Sequence, residues 1–402
     1  MTAPGLRQAV ILAGGRGTRL GSITDDIPKP LVPINGRPFL GYLLEQLRKQ
    51  EVTDVILLVG YLADQIRDYC GDGSEWGLRV RCVESPLEAE TGQRLKDAAA
   101  YLEPHFFLMY CDNYWPMHLP RMWDQFRQSD SLAMITVYSN RDQSTLNNVR
   151  VDQNGLVSTY DRHRTNGGLN GVEIGYTILS REVLDRLPDE NVTFSHAVYP
   201  GLAVDELLQA HETGHRYYSI GSADRLAATE AFLKPQRAVI LDRDGTLNER
   251  PPQAQYVMSW EEFRWLPGVI EALQLLIEAD YKLILASNQP GIGRGMMTEG
   301  DLENLHTAMR DDLSQHGVSL DAIYHCPHGW DDGCYCRKPS PGLLFQAQRD
   351  FHLNLTNTIF IGDDPRDQQA GEAAGCITDL VSKDRTLLKV VKDYLAIDMS
   401  KV

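Results

Sequence analysis

No stretch of this chain approaches the eighteen or so consecutive apolar residues that a membrane-spanning helix requires. The first residues, Met1-Thr-Ala-Pro-Gly-Leu-Arg7, lack the charged and apolar regions of a secretory signal. An excess of basic charge is also missing: 39 Lys and Arg stand against 55 Asp and Glu, a formal net charge of −16. A protein held to nucleic acid or to a membrane surface by its overall field is thereby excluded. Any phosphorylated ligand must instead be captured by local cations, metals or helix N-termini. Cysteine is too sparse for a disulfide scaffold. Of seven, three fall within residues 326–336 and the other four are scattered, which reads as reduced thiols in a cytoplasmic protein. Internal repeats and low-complexity segments are absent. The 402 residues exceed one typical domain. Small-molecule partners are expected, with no nucleic acid and no membrane, and oligomeric state is not legible.

What is present begins with Ala238-Val-Ile-Leu-Asp-Arg-Asp-Gly-Thr-Leu-Asn248. The apolar run reads as a buried parallel strand. It ends in Asp242 and Asp244, and Gly245 permits a sharp turn. Ligands of open α/β sheets bind beyond the carboxyl ends of the strands. Two carboxylates there suit Mg²⁺, a hard cation that shares oxygen ligands with phosphate, and one can attack phosphorus to form an aspartyl-phosphate. The bland alternative is a solvated acidic turn. Further stretches oppose it. Leu283-Ile-Leu-Ala-Ser-Asn-Gln289 ends in Ser287 and Asn288, and Arg337-Lys338-Pro339 supplies cations after a loop. Thr358-Ile-Phe-Ile-Gly-Asp-Asp364 is a third strand ending in carboxylates, with Asp367 a turn later. The glycine-rich loop Gln289–Gly295 carries Arg294, either a contact for a second phosphate or a solvated loop arginine. Cys326-Pro-His328 and Cys334-Tyr-Cys336 offer three thiolates and an imidazole, a closed tetrahedral set for structural Zn²⁺. Cys336 directly precedes Arg337-Lys338, so a bound zinc would set the position of that lysine.

Asp, Ser, Lys, Asp in this order resembles the haloacid dehalogenase-like phosphatases over about the last 165 residues. The resemblance implies Asp242 as nucleophile and Asp244 as general acid, then base. Ser287 and Lys338 would hold the phosphoryl group. Asp363, with Asp242 and the backbone carbonyl of Asp244, would bind Mg²⁺, and Asp364 and Asp367 would support them. Asn288 and Arg337 are further substrate-binding candidates. Asp-Arg-Asp-Gly-Thr-Leu-Asn, Ser-Asn-Gln-Pro-Gly-Ile-Gly-Arg-Gly and the loop ending Cys-Arg-Lys-Pro narrow the likeness to the heptose-bisphosphate phosphatases. Histidinol-phosphate phosphatases share this scaffold and zinc loop, and the five-residue gap between His328 and Cys334 leaves them open.

In the first half, the strand Gln8-Ala-Val-Ile-Leu-Ala13 runs into Gly14-Gly-Arg-Gly-Thr-Arg-Leu20. Glycines let backbone N–H groups approach phosphate oxygens, and Arg16 and Arg19 add charged donors. The loop is neither a Walker A motif nor a dinucleotide fingerprint; read alone, it is as readily a tight strand-to-helix turn. Ile27-Pro-Lys-Pro-Leu-Val-Pro33 then fixes Lys29 between two prolines. Together the two stretches resemble the sugar-1-phosphate nucleotidyltransferases. By that resemblance Gly14, Gly15, Gly17, Thr18 and Arg19 cradle the nucleotide phosphates and Lys29 stabilises charge on the triphosphate. Thr91, a plausible helix cap, and Gly92 would help bind base and sugar. Asp112, after Phe106-Phe-Leu-Met-Tyr-Cys111, would bind Mg²⁺, and Asn170, Gly171 and Glu173 would contact sugar. Two departures stand out. Arg162 occupies the usual place of a lysine that holds the sugar phosphate, keeping charge but not geometry. Ser219 occupies the place of a second metal-binding aspartate. Either one metal suffices, another acid such as Asp224 substitutes, or catalysis has been lost.

The expected fold is α/β with two Rossmann-like domains. Residues 1–234 would form a nucleotidyltransferase (GT-A-like) mixed sheet, and residues 235–402 a haloacid dehalogenase-like parallel sheet with a zinc loop. The implied cofactors are Mg²⁺ in both domains and structural Zn²⁺ in the second. A heptose-bisphosphate phosphatase leaves a sugar 1-phosphate, which a nucleotidyltransferase consumes. The pair implies a bifunctional enzyme of nucleotide-heptose synthesis acting on heptose phosphates and a nucleoside triphosphate, GTP by resemblance. Two alternatives remain: a phosphatase with a non-catalytic nucleotidyltransferase-like module, or a phosphatase for another small phosphomonoester such as histidinol phosphate.

Overall fold

In the first unit the apolar runs become strands covered on both faces. The computed structural model describes residues 5–399. The chain divides into two compact units, one ending at Lys234 and the other beginning at Pro235. Among the described residues the first holds a seven-stranded sheet, and its strands are β1 (Gln8–Leu12), β2 (Asp54–Val59), β3 (Arg79–Glu84), β4 (His105–Tyr110), β5 (Ala133–Tyr138), β6 (Val172–Ser180) and β7 (Leu208–Thr213). Their order is β7-β5-β6-β4-β1-β2-β3, with β6 antiparallel to both neighbours and the other pairs parallel. The alternation of a strand explains the continuous apolar runs. Ala9 and Ile11 pack into one core, where they meet the helices α1 (Phe39–Lys49) and α2 (Ala63–Cys70). Val10 and Leu12 pack into the other, with Leu95 of α3 (Thr91–Asp97). The helix α4 (Leu119–Phe126) joins the first core; α5 (Phe194–Val204) joins the second; α6 (Ala223–Leu233) closes the unit.

Three short antiparallel pairs accompany the sheet among the described residues, the first being Pro33–Ile34 with Arg37–Pro38. Val149–Val151 pairs with Val157–Tyr160 around a turn in which the Asp152 carboxylate accepts N–H groups of Asn154 and Leu156. Tyr218–Ser219 pairs with Asn113–Tyr114. The expected cap at Thr91 is corrected. Glu90 precedes the helix, and the Thr91 hydroxyl instead accepts the N–H of Phe194, the first residue of α5, at 2.8 Å.

The second unit is a five-stranded sheet in which every pair is parallel: β8 (Arg237–Leu241), β9 (Tyr281–Asn288), β10 (Ala322–Cys326), β11 (Ile359–Gly362) and β12 (Ile377–Leu380), in the order β10-β9-β8-β11-β12. Val239 and Leu241 face a core shared with α7 (Val269–Glu278), α8 (Glu299–Gln315) and α11 (Leu387–Met399). Ala238 and Ile240 face the core under α9 (Gly342–Phe351) and α10 (Pro365–Ala374). The sheet order reverses direction about β8, so the crevice at that switch point opens above Asp242. No helix among the described residues is long and apolar enough to cross a membrane.

Candidate active sites

The second unit gathers its charged residues at the carboxyl ends of β8, β9 and β11. Lys338 is 2% exposed, and its Nζ lies 2.7 Å from Asp242, 2.6 Å from Asp367 and 3.0 Å from the Ala286 carbonyl oxygen. All three donors of the ammonium are thus committed. One oxygen each of Asp242, Asp363 and Asp367 lies within 4.8 Å of the others, a spacing that could hold a cation. Asp367, however, is fully occupied. One oxygen meets Lys338, while the other accepts the N–H groups of Asp363 and Asp364 and completes a capping box at the start of α10. Asp242 and Asp363 keep an oxygen for a metal. Burial pushes the Asp242 carboxyl upward, Lys338 opposing and Asp367 reinforcing the shift. Burial likewise raises Asp363 to about 6, against the pull of Arg250 at 3.1 Å. Like charges at contact favour a bound cation. Gly245 has φ 93°, and a Cβ there would stand 2.0 Å from the Asp363 carboxylate. Only glycine allows the approach.

Asp244 lines the same cavity but has its own set of partners. Its carboxylate accepts hydrogen bonds from Arg243, Asn248 and Gln289 at 2.9–3.1 Å. Burial raises its pKa, but Arg243 and the hydrogen bonds outweigh burial and the net shift is downward. These surroundings stabilise the carboxylate form, in which Asp244 can act as a base; an acid role requires a proton taken up beforehand. Arg243 is fully buried and also reaches His306 Nε2 at 3.4 Å and Gln289 Oε1 at 3.1 Å. Ser287 is buried, its hydroxyl 3.2 Å from Gln289 Nε2. Gln289, Arg243 and Asn248 were not singled out by sequence reasoning. The signal was their position inside the two motifs, since Arg243 separates the aspartates and Gln289 follows Asn288.

Several substrate-binding expectations change here. Asn288 lines the cavity above Asp242, and its amide is engaged by backbone: it donates to the Lys338 carbonyl and accepts the Lys338 N–H, both at 3.0 Å. It therefore fixes the lysine's loop. The Arg294 guanidinium stacks 4.4 Å from the Trp330 ring and donates to the Tyr256 hydroxyl at 2.7 Å. A cavity of about 190 Å³ opens above Asp242, and its cations are Arg250, Arg337, Lys338 and Arg366. Arg250 and Arg366 are both paired with Asp364. Arg337 carries no carboxylate partner among the described residues and reaches only the His328 carbonyl, at 3.4 Å.

Cys326, His328, Cys334 and Cys336 converge with every ligand atom within 4.8 Å of the others. The sulfurs stand 3.4–3.5 Å apart and His328 Nδ1 lies 3.2 Å from Cys336 Sγ. A tetrahedron with bonds of about 2.3 Å needs sulfurs about 3.8 Å apart. The donor set therefore fits a zinc-sized ion after a small expansion. Burial pushes the Cys326 and Cys336 thiols upward, a shift that metal binding would reverse.

In the first unit the strand-end cluster lies after β1 and β4. Lys29 is buried and ion-paired with Asp112. Gly17 has φ 70°, and a Cβ on it would press on the Lys29 side chain at 3.1 Å. A Cβ on Gly221 would meet Ser219 Oγ, Asp112 and Arg19 at 3.1–3.9 Å. Arg19, Lys29, Asp112 and Ser219 are thus brought together. Ser219 Oγ accepts the Gly221 N–H at 3.0 Å, and Asp224 stands in the first turn of α6, hydrogen-bonded by Ser222. A single carboxylate, already paired with lysine, is a poor resident Mg²⁺ site. Gly14, Gly15 and Thr18 lie in the loop after β1, where the Gly14 carbonyl accepts the Tyr61 N–H.

The sugar candidates fare unevenly. Both amide atoms of Asn170 bond the Val151 backbone at 2.9 Å, so Asn170 ties two strands together. Gly171 packs on Val137, which a Cβ would strike at 2.3 Å. Gly92 seats α3 against the Val192 carbonyl. Glu173 alone of this set keeps a reactive group. Its carboxylate accepts the Gly175 N–H, and burial raises it to about 7. Asp161 accepts four backbone N–H groups, those of residues 163 to 166, which shapes the loop presenting Arg162.

Residues 8–161 match the family model for nucleotidyl transferase, and residues 335–396 match that for HAD-hydrolase-like proteins. Among curated proteins, the chain is 41% identical over 145 residues to a D-glycero-beta-D-manno-heptose-1,7-bisphosphate 7-phosphatase of Bordetella bronchiseptica, covering 36% of this chain and 80% of that protein. It is 40% identical over 135 residues to the alpha-anomer enzyme of Campylobacter jejuni, covering 34% and 76%. Among solved structures, a provisionally assigned glucose-1-phosphate thymidylyltransferase from Bacillus anthracis aligns with a TM-score of 0.50 at 17% identity, over 56% of this chain and 94% of that one. That likeness concerns the fold alone.

Proposed function

Because the chain belongs to the family of D-glycero-D-manno-heptose-1,7-bisphosphate 7-phosphatases, we propose that it is a bifunctional enzyme of nucleotide-heptose synthesis. Its second unit removes the 7-phosphate of the heptose bisphosphate. Its first unit, matched by the nucleotidyl transferase family, joins the heptose 1-phosphate to a nucleotide. The observation that carries the phosphatase reading is the buried Lys338 held between Asp242 and Asp367 above β8.

In the first step an Asp242 oxygen attacks phosphorus, and the bond from phosphorus to the sugar oxygen breaks. Asp244 supplies the proton taken up by the leaving oxygen. In the second step Asp244, now a carboxylate, takes a proton from water as that water attacks phosphorus. Orthophosphate leaves and Asp242 is restored. Ser287 holds a phosphoryl oxygen, and Lys338 joins it with the donor released when Asp242 gives up its charge on forming the aspartyl-phosphate; Arg337 would meet the distal phosphate. Mg²⁺ held by Asp242, Asp363 and the Asp244 carbonyl would neutralise charge on the phosphoryl group. Zn²⁺ on Cys326, His328, Cys334 and Cys336 is structural, because four protein ligands leave no open position.

In the first unit a sugar 1-phosphate oxygen attacks the α-phosphorus of the nucleoside triphosphate and pyrophosphate departs. Arg19 and Lys29 stabilise the charge that develops, and positioning with electrostatics carries most of such catalysis. GTP is the proposed donor. A second reading, a non-catalytic binding module, draws support from Ser219 and from the Lys29–Asp112 pair. The two matched phosphatases act on opposite anomers at nearly equal identity, so identity favours neither.

Phosphorus NMR on one sample of protein, Mg²⁺, heptose 1,7-bisphosphate and GTP tests both halves. Orthophosphate, then pyrophosphate and a sugar nucleotide, is the expected sequence. Orthophosphate with heptose 1-phosphate accumulating, whichever nucleoside triphosphate is supplied, establishes the binding-module reading. No orthophosphate overturns the heptose assignment.

A further inference from the structure

Arg94, in α3, is 4% exposed, yet no carboxylate bonds it among the described residues. Its guanidinium is spent on backbone carbonyls. Nη1 donates to Val59 at 2.7 Å; Nη2 lies 3.3 Å from Gly14, 3.2 Å from Pro86 and 3.3 Å from Leu87. These carbonyls sit at or just past the carboxyl ends of β2, β1 and β3, three neighbouring strands of the sheet. One planar group therefore spans three strand ends, and its rigid fork is suited to that task. The chain makes room for it with glycine. A Cβ on Gly14 would stand 2.3 Å from Arg94 Nη1, and one on Gly60 would stand 2.7 Å from it.

A buried cation without a counterion is costly. The nearest acids do not serve. Asp97 is hydrogen-bonded by Ser85 and Gln93, and Glu90 by Thr193. Burial accordingly pulls the Arg94 pKa down, with Asp97 and Glu90 opposing only from a distance. The charge lies directly beneath the glycine-rich loop assigned to nucleotide phosphates. An anion seated on that loop supplies what the fold withholds.

We propose that Arg94 is a positioning residue of the nucleotide site: it clamps the ends of β1, β2 and β3 together and holds an uncompensated positive charge under Gly14 for a nucleoside triphosphate. This rests on the nucleotidyl transferase reading of the first unit. It differs from a structural cross-link, which would need neither charge nor a fork.

The test is calorimetric titration of the full-length protein with GTP, ATP, CTP and UTP, alongside phosphate release from heptose 1,7-bisphosphate. For whichever nucleotide binds, Arg94→Met should weaken the dissociation constant roughly 10- to 100-fold, the range for losing charge-assisted hydrogen bonds. Arg94→Lys should recover part of the loss, and added guanidinium ion should restore binding to Arg94→Ala. Phosphate release should not change. Unaltered nucleotide binding in Arg94→Met overturns the clamp while leaving the transferase reading intact. Equal losses in Met and Lys variants with no rescue by guanidinium also overturn it. A wild-type protein that binds none of the four overturns both the clamp and the reading beneath it. A wild-type protein that binds nucleotide without transferring it removes the catalytic reading alone, and the dissociation constants still decide the clamp.

Discussion

Asp242 is ion-paired with Lys338, and Lys338 has further partners of its own. Lys338 keeps Asp367 and the Ala286 carbonyl if Asp242 loses its charge. Asp242→Asn should therefore fold, bind nucleotide as before, and lose phosphate release by at least roughly a thousandfold, as expected for removal of a nucleophile. A phosphate-release assay on heptose 1,7-bisphosphate checks this, and retained turnover would remove Asp242 from the mechanism. Glu173 makes a thermodynamic prediction. Folded, burial raises it from the ordinary 4.5 to about 7. Between those values the folded chain holds a proton that the unfolded chain has released, so this group's contribution to stability falls as pH rises. It is intact below about 4.5 and fully lost above about 7, a deficit on the order of 3 kcal/mol. Glu173→Gln abolishes the deficit. Thermal unfolding should show the variant melting above wild type at pH 8 and level with it at pH 4.5. A gain of equal size at both values would place the effect in packing and not in titration.

At the scale of elements, the motifs most legible in the sequence were those whose parts are neighbours in the chain. The run into Asp242, the Cys and His cluster within 326–336 and the carboxylates Asp363, Asp364 and Asp367 each lie within a short stretch of chain. The alternating cores explain why the central strands were readable, since a strand buried on both faces is apolar throughout, whereas the half-exposed edge strands Leu208–Thr213, Ala322–Cys326 and Ile377–Leu380 were not. What was not legible depends on partners set by tertiary packing. Asn170 and Gly171 resembled ligand contacts but serve the hairpin at Val151 and the side chain of Val137. Arg243 finds His306 sixty-three positions away, and Arg94 finds its carbonyls at three strand ends. Asn288 follows Ser287 in the chain, but its amide fits the Lys338 backbone. That last contact ties β9 to the loop whose far side is the Cys326–Cys336 cluster. Removing zinc should free the four ligands, release the loop and displace Lys338. Dialysis against a chelator should then abolish phosphate release, while nucleotide binding persists; readdition of zinc should restore it, and metal analysis should return one zinc per chain. Full phosphatase activity in metal-analysed, zinc-free protein would refute a structural role for this ion.

For the whole molecule, the question is whether two activities on one chain depend on each other through the fold or only through their chemistry. In the proposed function the second unit yields a sugar 1-phosphate, and the first consumes one. Each candidate centre is assembled from strand ends and neighbouring loops or short turns of its own unit, with Arg19, Lys29, Asp112 and Ser219 in the first and Asp242, Ser287, Lys338 and Asp363 in the second. The four residues named in each set belong to a single unit. A loss in one should then be complemented by a separate molecule that retains it. Lys29→Ala should release orthophosphate at the wild-type rate from heptose 1,7-bisphosphate and form no pyrophosphate. Asp242→Asn should do neither with that substrate, yet transfer nucleotide once heptose 1-phosphate is supplied. Mixed together, the two variants should convert the bisphosphate fully to the sugar nucleotide, with a lag that shortens as the Lys29→Ala variant is increased, because the intermediate passes through solution. Phosphorus NMR follows every species in that experiment. If each variant works alone as stated but the mixture yields no sugar nucleotide, the heptose 1-phosphate does not leave the chain that made it, and free diffusion between independent sites is wrong.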